Sequence, residues 1–161
     1  MAIDFSLMLE KKVLDRNMLC KELKNVGFMD VIKCPSQESV FRCESCYNSL
    51  GFAVSLLEAN EYPYNAFDTA FFEYEFVFEQ VLRINFNKEF DSLISYENAM
   101  KIVFGLMRNT NTKALLDMCM CRELCFFNGD GRLYINKSSK IWESINIHRE
   151  LSQWKLSEFE L

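Results

Sequence analysis

The sequence predicts a single α+β domain, residues 1–161, with a mostly antiparallel sheet and about two main helices packed on one face. Three observations lead there. Apolar residues alternate with others in several short runs, the period of a strand. Two segments carry the i, i+3, i+4, i+7 spacing of a helix with one buried stripe. Asn128-Gly129-Asp130-Gly131 separates two strand-like runs, and Asn, Asp and Gly tolerate the positive φ of a tight hairpin turn.

The first element alternates cleanly. Ile3, Phe5, Leu7 and Leu9 point one way, and Asp4, Ser6, Met8 and Glu10 the other, which reads as a half-buried strand. A helix follows. Asp15 is its N-cap, and Leu14 and Leu19 are spaced as a hydrophobic staple. Leu19, Leu23 and Val26 form the buried stripe, Gly27 suits a left-handed C′ position, and Phe28 closes back on Leu23.

Strand-type residues dominate the middle of the chain. Phe28 to Cys34 and Glu38 to Cys43 are short strand candidates, and Leu50, Phe52, Val54 and Leu56 define a stronger one. Tyr62-Pro63-Tyr64-Asn65 is a loop. Between Phe72 and Phe86 the even positions are nearly all apolar, too long a run for one strand. A bend is expected near Glu79-Gln80, with Val81 to Asn87 the regular half. A helix over Asp68 to Leu82 competes for these residues, but their aromatic and β-branched content favours strand.

The second helix is expected near Tyr96 to Arg108, capped by Ser95, with Ala99, Ile102, Val103 and Leu106 facing the core. Ala114 to Met118 reads as a strand, and Leu124 to Phe127 and Arg132 to Asn136 flank the hairpin turn. The tail carries Trp142 and Trp154 among polar residues and reads as partly helical.

Composition narrows the function classes. Half of the residues are hydrophobic and 25% charged, which excludes intrinsic disorder. A net charge of -5 disfavours direct nucleic-acid binding. No apolar run approaches a membrane span, and Met1-Ala2-Ile3-Asp4-Phe5-Ser6 lacks the basic start of a secretory signal. Seven cysteines, an odd number without a signal segment, read as reduced thiols of a cytoplasmic protein.

Catalytic patterns are missing from the sequence. His148, the single histidine, stands in Ile147-His148-Arg149-Glu150 with no nucleophile in a recognisable setting, and reads as a surface or partly packed residue. The five glycines form no phosphate-binding loop. Cys43-Glu44-Ser45-Cys46 is a Cys-x-x-Cys pair with Cys34 upstream. It opens an alternative reading, a small zinc or redox module built on Cys34, Cys43 and Cys46, with Cys20 or His148 completing the set. Cys119, Cys121 and Cys125 lie in an apolar strand region at spacings unlike a zinc knuckle. The favoured reading has no cofactor and no metal, and is not an enzyme.

Charge is segregated along the chain. Between Arg42 and Arg83 there is no Lys or Arg, while Glu44, Glu58, Glu61, Asp68, Glu73, Glu75 and Glu79 all lie there. That interval carries -7, and the rest of the chain, 18 basic and 16 acidic residues, carries +2. Glu73, Glu75 and Glu79 share strand parity opposite Phe72, Tyr74, Phe76 and Phe78, so a strand would have one acidic and one aromatic face. Such charges protect an aromatic strand from edge pairing. Seven without a cation go further and suit a docking surface for a basic partner.

One more pattern lies in the second half. Leu82-Arg83-Ile84-Asn85-Phe86-Asn87-Lys88 precedes Asn98-Ala99-Met100; then come Leu115-Leu116-Asp117, the hairpin Phe126 to Asn136, and Trp142. This order, with the opening Ile3-Asp4-Phe5-Ser6-Leu7, resembles the Sit-type immunity proteins of bacterial polymorphic, contact-dependent toxin systems. The likeness covers most of residues 80–145 and the first thirty, and not about 35–78. It implies a small protein that binds and blocks a cognate toxin domain in the cytoplasm, nucleases being one candidate class, by occluding the active site or an adjacent surface. The expected contact residues are Glu58, Glu61, Asp68, Glu73, Glu75 and Glu79 for charge, with Tyr62, Tyr64 and Phe71 as aromatic anchors.

Overall fold

In the computed structural model, which describes residues 3–29, 36–37 and 40–161, the chain runs β1 (Asp4–Leu9), α1 (Arg16–Asn25), β2 (Ser36–Gln37), β3 (Val40–Cys43), β4 (Phe52–Glu58), β5 (Ala66–Asp68), β6 (Glu75–Val77), β7 (Gln80–Phe86), α2 (Ser92–Arg108), β8 (Ala114–Met118), β9 (Arg122–Phe127), β10 (Arg132–Asn136), α3 (Ile141–Ser144), α4 (His148–Leu151) and β11 (Lys155–Phe159). Among the described residues, nine strands form one sheet in the order β11-β10-β9-β8-β1-β7-β4-β3-β2. Its neighbours are antiparallel except for β10 and β11. β5 and β6 form a separate two-stranded sheet.

β1 is the central strand, held by β7 on one side and β8 on the other. Its two faces are both buried, a correction to the half-buried expectation. Phe5, Leu7 and Leu9 join the main core beneath the helices, while Met8 belongs to a second cluster on the opposite face. The sequence pattern conceals this because Ser6, between them, is a buried polar residue.

α1 is built by the expected local signals. Asp15 accepts a hydrogen bond from Met18 N at 2.9 Å. At the other end Phe28 N donates to Leu23 O and Gly27 N to Lys24 O, with Gly27 at φ 100°, the pair of bonds that closes a helix through a left-handed residue. α2 starts earlier than expected. Asp91, not Ser95, is the N-cap and accepts from Leu93 N and Ile94 N. Ser95 lies inside the helix, its hydroxyl donating to Ser92 O. Ala99, Ile102, Val103 and Leu106 are all buried in the main core, as their spacing predicts.

Three further differences concern the middle and the tail. The Phe72–Phe86 run breaks at Phe78-Glu79, beside the expected bend, and β7 is its regular half; what differs is that Phe72 to Tyr74 is irregular and that β6, among the described residues, pairs with β5 alone. The strand expected at Phe28 to Cys34 falls mostly outside the described residues, and the one at Glu38 to Cys43 is seen as β3. The tail adds α3 and α4 and then β11, which extends the sheet in parallel with β10.

Candidate functional site

β4 and β7 pair along their lengths, and the chain between them, residues 59–79, folds into a lobe. The lobe is closed at its neck by Ala59 N donating to Glu79 O at 2.8 Å. Inside, Phe78 N donates to Asn65 O and Asn65 Nδ2 to Phe78 O. Six carboxylates and no Lys or Arg lie between Glu58 and Glu79.

Aromatic side chains fix the lobe to the second face of the sheet. Phe71, Phe76 and Phe78 are buried with Met8, Val81, Leu115 and Phe126. Phe72 and Phe126 meet edge to face at 4.7 Å, and Phe76 and Phe126 at 5.5 Å. Apolar burial on this scale, about 25 cal/mol per Å², is what holds a segment with so few regular hydrogen bonds in place.

Phe71 therefore corrects an expectation. It is 7% exposed and packs edge to face on Phe159 at 5.8 Å. It anchors the lobe to its own sheet and presents no ring to a partner. Tyr62 and Tyr64 are exposed as expected, at 64% and 81%. Tyr74 and Val77 are also exposed on the lobe and were not among the expected contacts.

All six carboxylates are solvent-exposed, but they do not form one ladder. Asp68 and Glu75 are register partners across β5 and β6. Nearby Glu75, as a hydrogen-bond acceptor and as a charge, raises the pKa of the Tyr62 phenol, and the charge of Asp68 adds to it. Glu58 and Glu79 are near the neck: Glu58 lies 3.5 Å from Lys12 Nζ, and Glu79 Oε2 accepts from Lys12 N. Glu61 and Glu73 sit on the irregular stretches, Glu73 outside any strand. Among the described residues, Glu61, Asp68, Glu73 and Glu75 have no ion pair.

Two cavities flank the lobe. One, about 430 Å³, is lined by Glu58, Tyr64, Met8, Arg83 and Met120 among others. The other, about 670 Å³, lies between the lobe residues Phe67 and Ala70 and the β8–β9 turn, with Asp117, Arg122, Glu123 and Lys140 in its lining. Asp117 was not among the expected site residues. Its signal in the sequence is one charged residue inside the apolar run Ala114-Leu115-Leu116-Asp117-Met118.

The cysteines are placed as packing residues. Cys43 and Cys46 are buried in the main core, and Cys46 Sγ donates to the Cys43 carbonyl at 3.1 Å. Cys34 lies outside the described residues. Among those described, no three His, Cys, Asp or Glu side chains converge as metal ligands. His148 opens the short helix α4, exposed. No helix of the described chain is long and apolar enough to cross a membrane. Comparison with family models, curated proteins and solved structures finds no match.

Proposed function

We propose that the chain is a non-catalytic immunity protein that neutralises a basic toxin domain in the cytoplasm by seating it on the acidic lobe. One observation supports this above the rest: Glu61, Asp68, Glu73 and Glu75 are exposed on a lobe without a basic residue, and among the described residues none has a cation partner. Like charges held together repel, and a cationic partner relieves that cost on binding. The exposed Tyr62, Tyr64 and Tyr74 supply large, rigid contact surface beside the charges. Against a nuclease, the carboxylates would occupy the groove that holds phosphates. The resemblance to Sit-type immunity proteins supplies the toxin as the partner class. The acidic lobe lies in the part of the chain that the resemblance does not cover, where a surface matched to one toxin is expected to differ.

The test is association kinetics with a cognate toxin domain, to be sought in the gene beside the one for this protein. Glu73→Lys with Glu75→Lys should slow association at least tenfold at low salt and flatten its salt dependence, since steering by charge acts on the on-rate. An unchanged on-rate would remove the acidic lobe from the mechanism, and no complex at all would remove the immunity reading.

A further inference from the structure

Asp117 is 0% exposed, and neither of its carboxylate oxygens has a hydrogen-bond partner among the described residues. Backbone N–H groups of Met120, Cys121 and Arg122 lie close enough to favour its charge, yet none reaches hydrogen-bond geometry. Among the described residues no basic side chain pairs with it. An unpaired buried carboxylate is among the costliest groups a fold can carry. Its register partner on β9 is Glu123, a second carboxylate. Glu123 is oriented from the lobe: Thr69 Oγ1 donates to its Oε2 at 2.5 Å and Ala70 N to its Oε1 at 2.7 Å. Each oxygen keeps a lone pair for a further donor.

Both carboxylates line the cavity of about 670 Å³, which has room for a side-chain head group. Arg122 and Lys140 are in its lining too, but both are exposed and their long stems let the charges stay in water. The lining thus has two acids and two bases, and it is the acids that are fixed at its wall, Asp117 by burial and Glu123 by Thr69 and Ala70. We propose that this cavity is a socket for an organic cation, a guanidinium or primary ammonium group, held by Asp117 and Glu123. The planar fork of a guanidinium matches two acceptor groups well. The socket opens beside the acidic lobe, so it names the chemistry of one side chain in the docking reading. It rests on that reading only for the source of the cation.

The experiment is an amide-shift titration of the whole protein with ethylguanidinium chloride and, separately, with a blocked Gly-Arg-Gly peptide, against sodium chloride at matched ionic strength. Saturable shifts at 117–123 and 136–140 are expected at millimolar concentration, with none from sodium chloride. Asp117→Asn should weaken binding at least tenfold, and Ala70→Trp, which places a large ring on the cavity wall and leaves Asp117 itself unchanged, should abolish it. Tighter binding of the peptide assigns the socket to a protein side chain, and equal or tighter binding of ethylguanidinium to a free small cation. Shifts that do not saturate, or that persist unchanged in both variants, overturn the proposal. That failure leaves the salt-dependent association of the lobe untouched, so the two readings fail separately.

Discussion

Asp68 and Glu75 face each other across the β5–β6 hairpin, two carboxylates at one rung of a two-stranded sheet. Opposed like charges destabilise a ladder by a few tenths of a kcal/mol. Asp68→Asn is expected to stabilise the isolated protein by about 0.3–0.5 kcal/mol and to slow association with a basic partner. Denaturant midpoints and on-rates measured on the same preparation check both signs. A variant that loses stability would mean that Asp68 holds the hairpin together.

The buried carboxylate makes stability depend on pH. Burial, then the nearby charge of Glu123 on β9, raises the Asp117 pKa to about 6, against the pull of the 120–122 backbone N–H groups. The folded state therefore binds this proton more tightly than the unfolded chain. Its contribution favours the fold at low pH and is lost as pH rises from about 4 to about 6, a penalty of at most about 3 kcal/mol. Asp117→Asn should remove that dependence and raise stability at pH 7 by about 1–2 kcal/mol. Urea midpoints at pH 4.5 and pH 7 measure it; equal slopes in both proteins would mean that Asp117 does not titrate in this window.

Phe71 links the lobe to the sheet through Phe159 and Phe126. Phe71→Ala should cost about 3 kcal/mol, and the amides of β5 and β6 should lose exchange protection before those of β1. Uniform loss across both sheets would mean that the lobe and the sheet unfold as one unit.

Cys119 and Met120 hold φ of 58° and 54° in the turn between β8 and β9. Left-handed backbone at a residue with a Cβ costs about 1–2 kcal/mol. Met120 is 53% exposed, so its side chain gives little packing in return. Met120→Gly should therefore stabilise the protein by about 0.5–1 kcal/mol in thermal or urea unfolding. A loss of stability would place the methionine in contacts that matter more than the backbone.

At Gly51 the opposite outcome is expected. It has φ 83°, and an added Cβ would meet the Phe90 ring and Ser95 Cβ at 2.8 Å or less. Gly51→Ala should cost about 2 kcal/mol or more, since neither neighbour can retreat freely. A neutral result in urea unfolding would show slack in the β4–α2 junction.

What could be read from the sequence was what short-range chemistry decides. Asp15 and Gly27 mark both ends of α1 because caps act over three or four residues. The hairpin at Gly129 and Gly131 follows from positive φ. Asp91 and Ser95 offer the same capping chemistry four residues apart, and exposed Leu93 and Ile94 blur the stripe that would separate them. β11 could not be read, because Lys155–Phe159 alternates weakly and its partner β10 is fixed only by the tertiary fold. In the site, the charge segregation was visible, while the direction of each aromatic ring was not. Phe71 and Tyr74 belong to one aromatic run, and it is packing on Phe126 and Phe159 that turns Phe71 inward while Tyr74 stays outside.

The neck at Ala59 and Glu79 has a further consequence. The lobe leaves and re-enters the fold at adjacent positions on two strands already zipped together, so its sequence can drift, lengthen or be exchanged with little disturbance to their ladder.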